Sequence, residues 1–142
     1  MSKTAYNKIV AKIEKLTEYL RILEELQKIS KKNFIDDYRF HGLAERYFQL
    51  AIEAMLDAGK LIIIDGGFRK PEDGHDIFSV LCENKIINQS LLSRLSGITG
   101  FRNVLVHDYE KIDRNRVYDK LQNNLEDFNK FKKAILRYLK KQ

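Results

Sequence analysis

Residues 100–109 read Gly-Phe-Arg-Asn-Val-Leu-Val-His-Asp-Tyr, so that Arg102, Asn103, His107 and Tyr109 fall close together, interleaved with Val104, Leu105 and Val106. Three of these types can act together on a phosphodiester without a metal. Arginine stays charged and presents a planar fork to phosphate oxygens. Imidazole gives or takes a proton near neutral pH. Asparagine can hydrogen-bond a phosphate oxygen or hold the imidazole. Cutting an RNA strand needs a base for the 2′-hydroxyl, a cation for the charge growing on the phosphorus oxygens and an acid for the leaving 5′-oxygen. One histidine in the stretch supplies a single proton carrier. The chemistry therefore favours a homodimer in which two copies of Arg102 and His107 meet across a two-fold axis.

On a helix turning about 100° per residue, Asn103 lies about 100° and His107 about 140° from Arg102, with Tyr109 only about 20° away two turns on. Phe101 and Leu105 point the other way, toward a core. Gly97 and Gly100, just upstream, would let a partner helix or a phosphate come close. On spacing alone the same Arg, Asn and His also fit a surface patch or a satisfied polar network. His41 and His75 read as structural or solvated, and Glu53 and Asp57 form no metal set with them. No Cys or His cluster has zinc spacing, no glycine-rich loop fits a nucleotide fold, and neither Cys82 nor any serine has an evident base. No metal or cofactor is expected.

The elements that must position these residues are helical. The chain has 142 residues, 32% charged and 44% hydrophobic, with one proline and no tryptophan, a composition that suits one all-α globular domain over 1–142. Ile9, Ile13, Leu16, Leu20 and Leu23 give a stripe on a first helix running to about Ile29. A second helix starts near Asp36 or Asp37, with Leu43, Tyr47, Leu50, Ala51, Ala54, Ala58 and Leu61 as its expected buried face. The loop Gly-Gly-Phe-Arg-Lys-Pro-Glu-Asp-Gly-His-Asp follows, then a short third helix with Ile77, Phe78, Val80 and Leu81, capped by Asp73 or Asp76. A fourth helix runs from Asn88 or Ser90 through Leu95, Ile98, Phe101 and Leu105. Asp113 caps a fifth, striped by Val117, Leu121, Leu125, Phe128, Ile135 and Leu139. Four main helices and one short insert predict an up-and-down four-helix bundle.

A formal charge of +6, from 26 Lys and Arg against 20 Asp and Glu, favours polyanionic partners without requiring them. The lone Cys82 suits a reducing cytosol. No apolar run approaches the roughly 18 residues of a membrane span, and no leader is evident, so a cytoplasmic protein is expected.

"RNVLVHDY" resembles the Arg-x4-His-x-Tyr motif of the HEPN superfamily, in its HepT-like toxin branch. The likeness extends to "LAERYFQLAIEAMLDAGKLII" and to "DIFSVLCENKIINQSLLSRLSGITGFRNVLVHDYEKID", in order, covering most of residues 36 to 120. The resemblance implies a helical bundle that dimerises with the motif lining an interfacial cleft. It implies a metal-independent ribonuclease, toxin of a prokaryotic type VII toxin–antitoxin pair, with Arg102 and His107 catalytic and Asn103 in support. It also implies an MntA-like nucleotidyltransferase antitoxin that adds AMP to the motif tyrosine, here Tyr109. An AMP phosphate beside Arg102 would occupy the guanidinium and repel the RNA backbone. The resemblance leaves the choice between tRNA and mRNA open. A non-catalytic HEPN module that docks a nucleotidyltransferase or a nucleotide is the alternative; the intact Arg102, Asn103 and His107 favour the nuclease. A generic DNA-binding protein fits less well, since no short helix-turn-helix with a basic recognition helix is evident.

Overall fold

The computed structural model describes residues 1–142, the side chain of Tyr109 excepted. Among the described residues it is wholly helical: α1 (Lys3–Leu26), α2 (Lys31–Asp36), α3 (Tyr38–Gly66), α4 (Gly74–Glu83), α5 (Gln89–Arg94), α6 (Ile98–His107), a 3-10 turn (Tyr109–Lys111), α7 (Arg114–Asn123) and α8 (Leu125–Lys140). The long columns are α1, α3, α5 followed by α6, and α7 followed by α8, with α4 as the short insert. This is the expected all-α bundle. None of its helices is long and apolar enough to cross a membrane.

Side-chain caps fix several starts. Ser2, Ser30, Asp37, Asp73, Asn88 and Asp113 each accept a hydrogen bond from a backbone N–H of the first turn they precede, satisfying donors that lack an intrahelical partner. Asp37, Asp73, Asn88 and Asp113 are sites that the sequence marks as helix starts. The predicted stripe of α1 is buried from Ile9 to Leu23. On α3 the buried face runs through Ala44, Phe48, Ala51, Met55, Ala58 and Ile62.

Three expectations fail. The first helix stops at Leu26, not Ile29, and the one-and-a-half-turn α2 occupies the connection. Leu43 is 45% exposed, because Ala44 and Phe48 hold the inner side of α3's first turns. The two long helices predicted in the second half are each broken. Gly97 adopts φ +84, a left-handed conformation open to glycine, and separates α5 from α6. Asn124, at φ −118, separates α7 from α8.

One core ties these pieces together. Phe48 of α3 is fully buried and meets Phe101 of α6 at 5.5 Å and Phe128 of α8 at 5.9 Å between ring centroids, both edge to face. Such pairs add about 0.5–1.5 kcal/mol beyond area burial. Phe48 is thus the hub that seats α6.

Candidate active site

α6 is the helix that carries the motif. Ile98, Phe101 and Leu105 recur at helical spacing and are all buried, which fixes the helix's rotation against α3 and α4. At its start Thr99 packs over Gly74, where an added Cβ would lie 3.1 Å from the Thr99 Cγ2; the absent side chain lets the two helix N-termini approach. Gly100 has no such neighbour: among the described residues nothing lies within 4 Å of a Cβ built there.

Arg102 is half-buried on α6, its side chain 27% exposed. It lines a cleft of about 320 Å³ with Glu53 and Asp57 of α3 and with Glu72, Asp73 and Gly74 at the entrance to α4. Its Nη1 stands 4.0 Å from Glu53 Oε1, and its Nε is buried without a hydrogen-bond partner among the described residues. A polar chain along α3 holds Glu53: Arg46 Nη1 donates to Gln49 Oε1 at 3.2 Å, and Gln49 Nε2 donates to Glu53 Oε1 at 3.1 Å. Four carboxylates line the cleft (Glu53, Asp57, Glu72, Asp73) against two cations, Lys60 and Arg102. The cleft beside Arg102 is therefore acidic.

The wall contributed by residues 69–76 is rigidified by Arg69. Its guanidinium donates to both Asp76 oxygens, at 2.7 and 2.8 Å, and to Glu83 Oε1 at 2.8 Å. These bonds hold the Asp76 carboxyl down to about 2, helped by the Glu72 backbone N–H, and push Glu83 down in the same direction.

Asn103 and His107 stand on the solvent side of α6, both exposed. Among the described residues no hydrogen bond or ion pair joins either side chain to Arg102. The structure thus brings Arg102 to Glu53 and leaves Asn103 and His107 outward-facing. α6 ends at His107, and Asp108 leaves the helix at φ −126, ψ 56. The helical arithmetic that set Tyr109 about two turns from Arg102 does not apply, because Tyr109 belongs to the following 3-10 turn. The expectation for its side chain lies outside the described residues.

Nothing in the sequence marks Glu53 as a neighbour of Arg102. Only tertiary packing of α3 on α6 brings the two together, and no local spacing signals it. Asp57 pairs instead with Lys12 at 3.3 Å. His41 is buried with Nδ1 2.9 Å from Glu45 Oε2, in keeping with a structural role. His75 Nδ1 is buried without a partner among the described residues. Among those residues no group of three His, Cys, Asp or Glu side chains is arranged to hold a metal ion.

An all-α bundle with an Arg-x4-His pair on one short, core-packed helix defines a HEPN-type protein. Residues 16–135 match the family described as "Ribonuclease HepT-like". The chain is 28% identical over 121 residues to the "mRNA nuclease HepT" of Shewanella oneidensis, covering 84% of this chain and 91% of that protein. It is 26% identical over 131 residues to the "tRNA nuclease HepT" of Aphanizomenon flos-aquae, covering 92% and 89%. Its fold superposes with a TM-score of 0.84, at 26% identity and 96% and 99% coverage, on the "tri-AMPylated Shewanella oneidensis HEPN toxin in complex with MNT antitoxin". The chain belongs to the HepT-like ribonuclease family, and its enzyme class is that of an endoribonuclease.

Proposed function

We propose that the chain is the toxin of a prokaryotic type VII toxin–antitoxin pair, a metal-independent endoribonuclease acting through Arg102 and His107 of two chains. The single observation that carries this reading is the state of Arg102: a half-buried guanidinium whose Nε has no hydrogen-bond partner among the described residues, seated on a helix that also presents His107 to solvent. A guanidinium that lines the cleft with its side chain 27% exposed can donate to a phosphate oxygen as charge builds there. His107, at the last turn of the same helix, transfers the proton, and Asn103 hydrogen-bonds the phosphate or the imidazole. Because each chain brings one such histidine, pairing the α6 helices of two chains supplies both base and acid. The whole chain forms the one HEPN-like domain. The relatives named as nucleases, and the AMP-bearing toxin seen with its MNT antitoxin, support this assignment and AMP addition by an MntA-like nucleotidyltransferase; in this reading Tyr109, the tyrosine of the motif, is the acceptor.

The experiment is expression of the chain alone and together with such a nucleotidyltransferase, with total RNA examined after induction. Growth arrest and RNA cleavage alone, both suppressed by the partner, are expected. Harmless expression with intact RNA would favour the docking module.

A further inference from the structure

The acidity of the cleft beside Arg102 raises a physical difficulty. Four carboxylates against two cations repel a phosphate backbone, so the affinity for a polyanion must come from elsewhere on the surface. A groove of about 520 Å³ between the α4–α5 connection and α8 has the opposite character. Lys85, Arg94, Lys130, Lys133 and Arg137 line it, and among the described residues no carboxylate does. Lys130, Lys133 and Arg137 lie at i, i+3 and i+7 on α8, one exposed face about 10 Å long. Among the described residues neither these three nor Lys85 is engaged in an ion pair, whereas Arg94 is bound through Nε to the buried Asp127.

The groove also connects to the motif helix. Arg94 lines a second, small cavity together with Lys120, Phe101 and its own partner Asp127, so that two cations there face one carboxylate. Over the Phe101 ring stand Lys120, 5.1 Å from the centroid, and Arg116 at 5.8 Å. Burial, and then the neighbouring Arg116, push the Lys120 ammonium below its ordinary value, with the Asp127 carboxylate acting against them. Phe101 immediately precedes Arg102.

Resting on the ribonuclease reading above, we propose that the α8 groove binds the sugar–phosphate backbone of the RNA substrate, and that Arg94, Lys120 and Arg116 continue the track to α6. Binding is thereby separated from cleavage: the α8 groove supplies affinity, and the Arg102 and His107 helix supplies chemistry. Contacts to phosphate carry little sequence information, so this groove sets how tightly RNA is held and not where it is cut.

The test is fluorescence anisotropy with a short labelled 2′-O-methyl RNA, which cannot be cut through its 2′-oxygen, measured over a range of salt. The combined variant Lys130→Ala, Lys133→Ala, Arg137→Ala changes only exposed side chains. It is expected to bind at least about tenfold more weakly near 0.1 M salt, and its log–log salt slope should fall by about 2, three lost phosphate contacts at roughly 0.7 each. A charge-matched control, Lys3→Ala, Lys8→Ala, Lys28→Ala, lies off the groove and should retain most of the parent's affinity and slope. Circular dichroism confirms that both variants are folded. Parent-like binding by the groove variant, or an equal loss in the control, would overturn the proposal. So would a groove variant that binds RNA normally but no longer co-purifies with the nucleotidyltransferase, which would assign the groove to that protein. If the parent binds through this groove yet cleaves no unmodified RNA, the ribonuclease reading fails and the groove assignment stands.

Discussion

Arg102 on α6 and Glu53 on α3 face each other at 4.0 Å across an acidic cleft, although they lie 49 positions apart in sequence. Both side chains are partly exposed, and a pair of this kind contributes about 0–1 kcal/mol to stability. Its consequence is electrostatic. Glu53 neutralises part of the charge that a phosphate would otherwise meet on Arg102. Glu53→Gln keeps the side-chain size and a hydrogen-bonding partner for Gln49 while removing that carboxylate. It should shift stability by less than about 1 kcal/mol and tighten binding of the non-cleavable RNA. Thermal denaturation and anisotropy check both; weaker RNA binding would instead make Glu53 a positioning residue for Arg102.

The Arg69 cluster predicts a pH-dependent effect on stability. Asp76 and Glu83 have their folded carboxyls held down by Arg69, Asp76 to about 2. A depressed carboxyl stabilises the fold above its unfolded value near 4 and loses that contribution as pH falls through the folded value. Arg69→Ala should therefore lower the thermal midpoint most at neutral pH, and the gap to the parent should close as pH falls from about 4 toward 2. A gap that is constant with pH would contradict the assignment.

Phe48→Ala should cost about 3–5 kcal/mol, the usual range for a large aromatic removed from a core. The variant should lose RNA cleavage at temperatures where the parent remains folded, because Phe48 seats the motif helix through Phe101. Denaturant titration paired with an activity assay measures both. Full activity in a destabilised variant would show that α6 is held by other contacts.

Tyr109→Phe should remain toxic and should escape AMP addition by the nucleotidyltransferase, since it keeps the ring and loses the acceptor oxygen. Intact-mass spectrometry after co-expression reads this directly. Modification mapped to another residue, such as Tyr118, would contradict the assignment of Tyr109.

Much of this architecture is legible in the sequence because burial in a bundle follows helical period. The stripes of α1 and α4 and the inward turn of Phe101 and Leu105 come from that period alone. The breaks at Gly97 and Asn124 escaped for the same reason: Leu95, Ile98 and Phe101, like Leu121, Leu125 and Phe128, keep near-helical spacing across the break. Leu43 misled because α3's opening turns are apolar on more than one side. Arg102, Asn103 and His107 could be picked out by type and spacing, but the pairing of Arg102 with Glu53 depends on packing between distant helices, and no local pattern encodes that.

If Arg102 and His107 cleave RNA without a metal, purified protein should act on a labelled RNA in excess EDTA. The parent should cut. His107→Ala should be slower by about 10² to 10⁴-fold, as expected for loss of a proton-transfer group, and Arg102→Ala by about 10² to 10³-fold, as for loss of a charge-stabilising donor, with both variants folded. Near-parental cleavage by either variant, or activity that EDTA abolishes and a divalent metal restores, would contradict that mechanism.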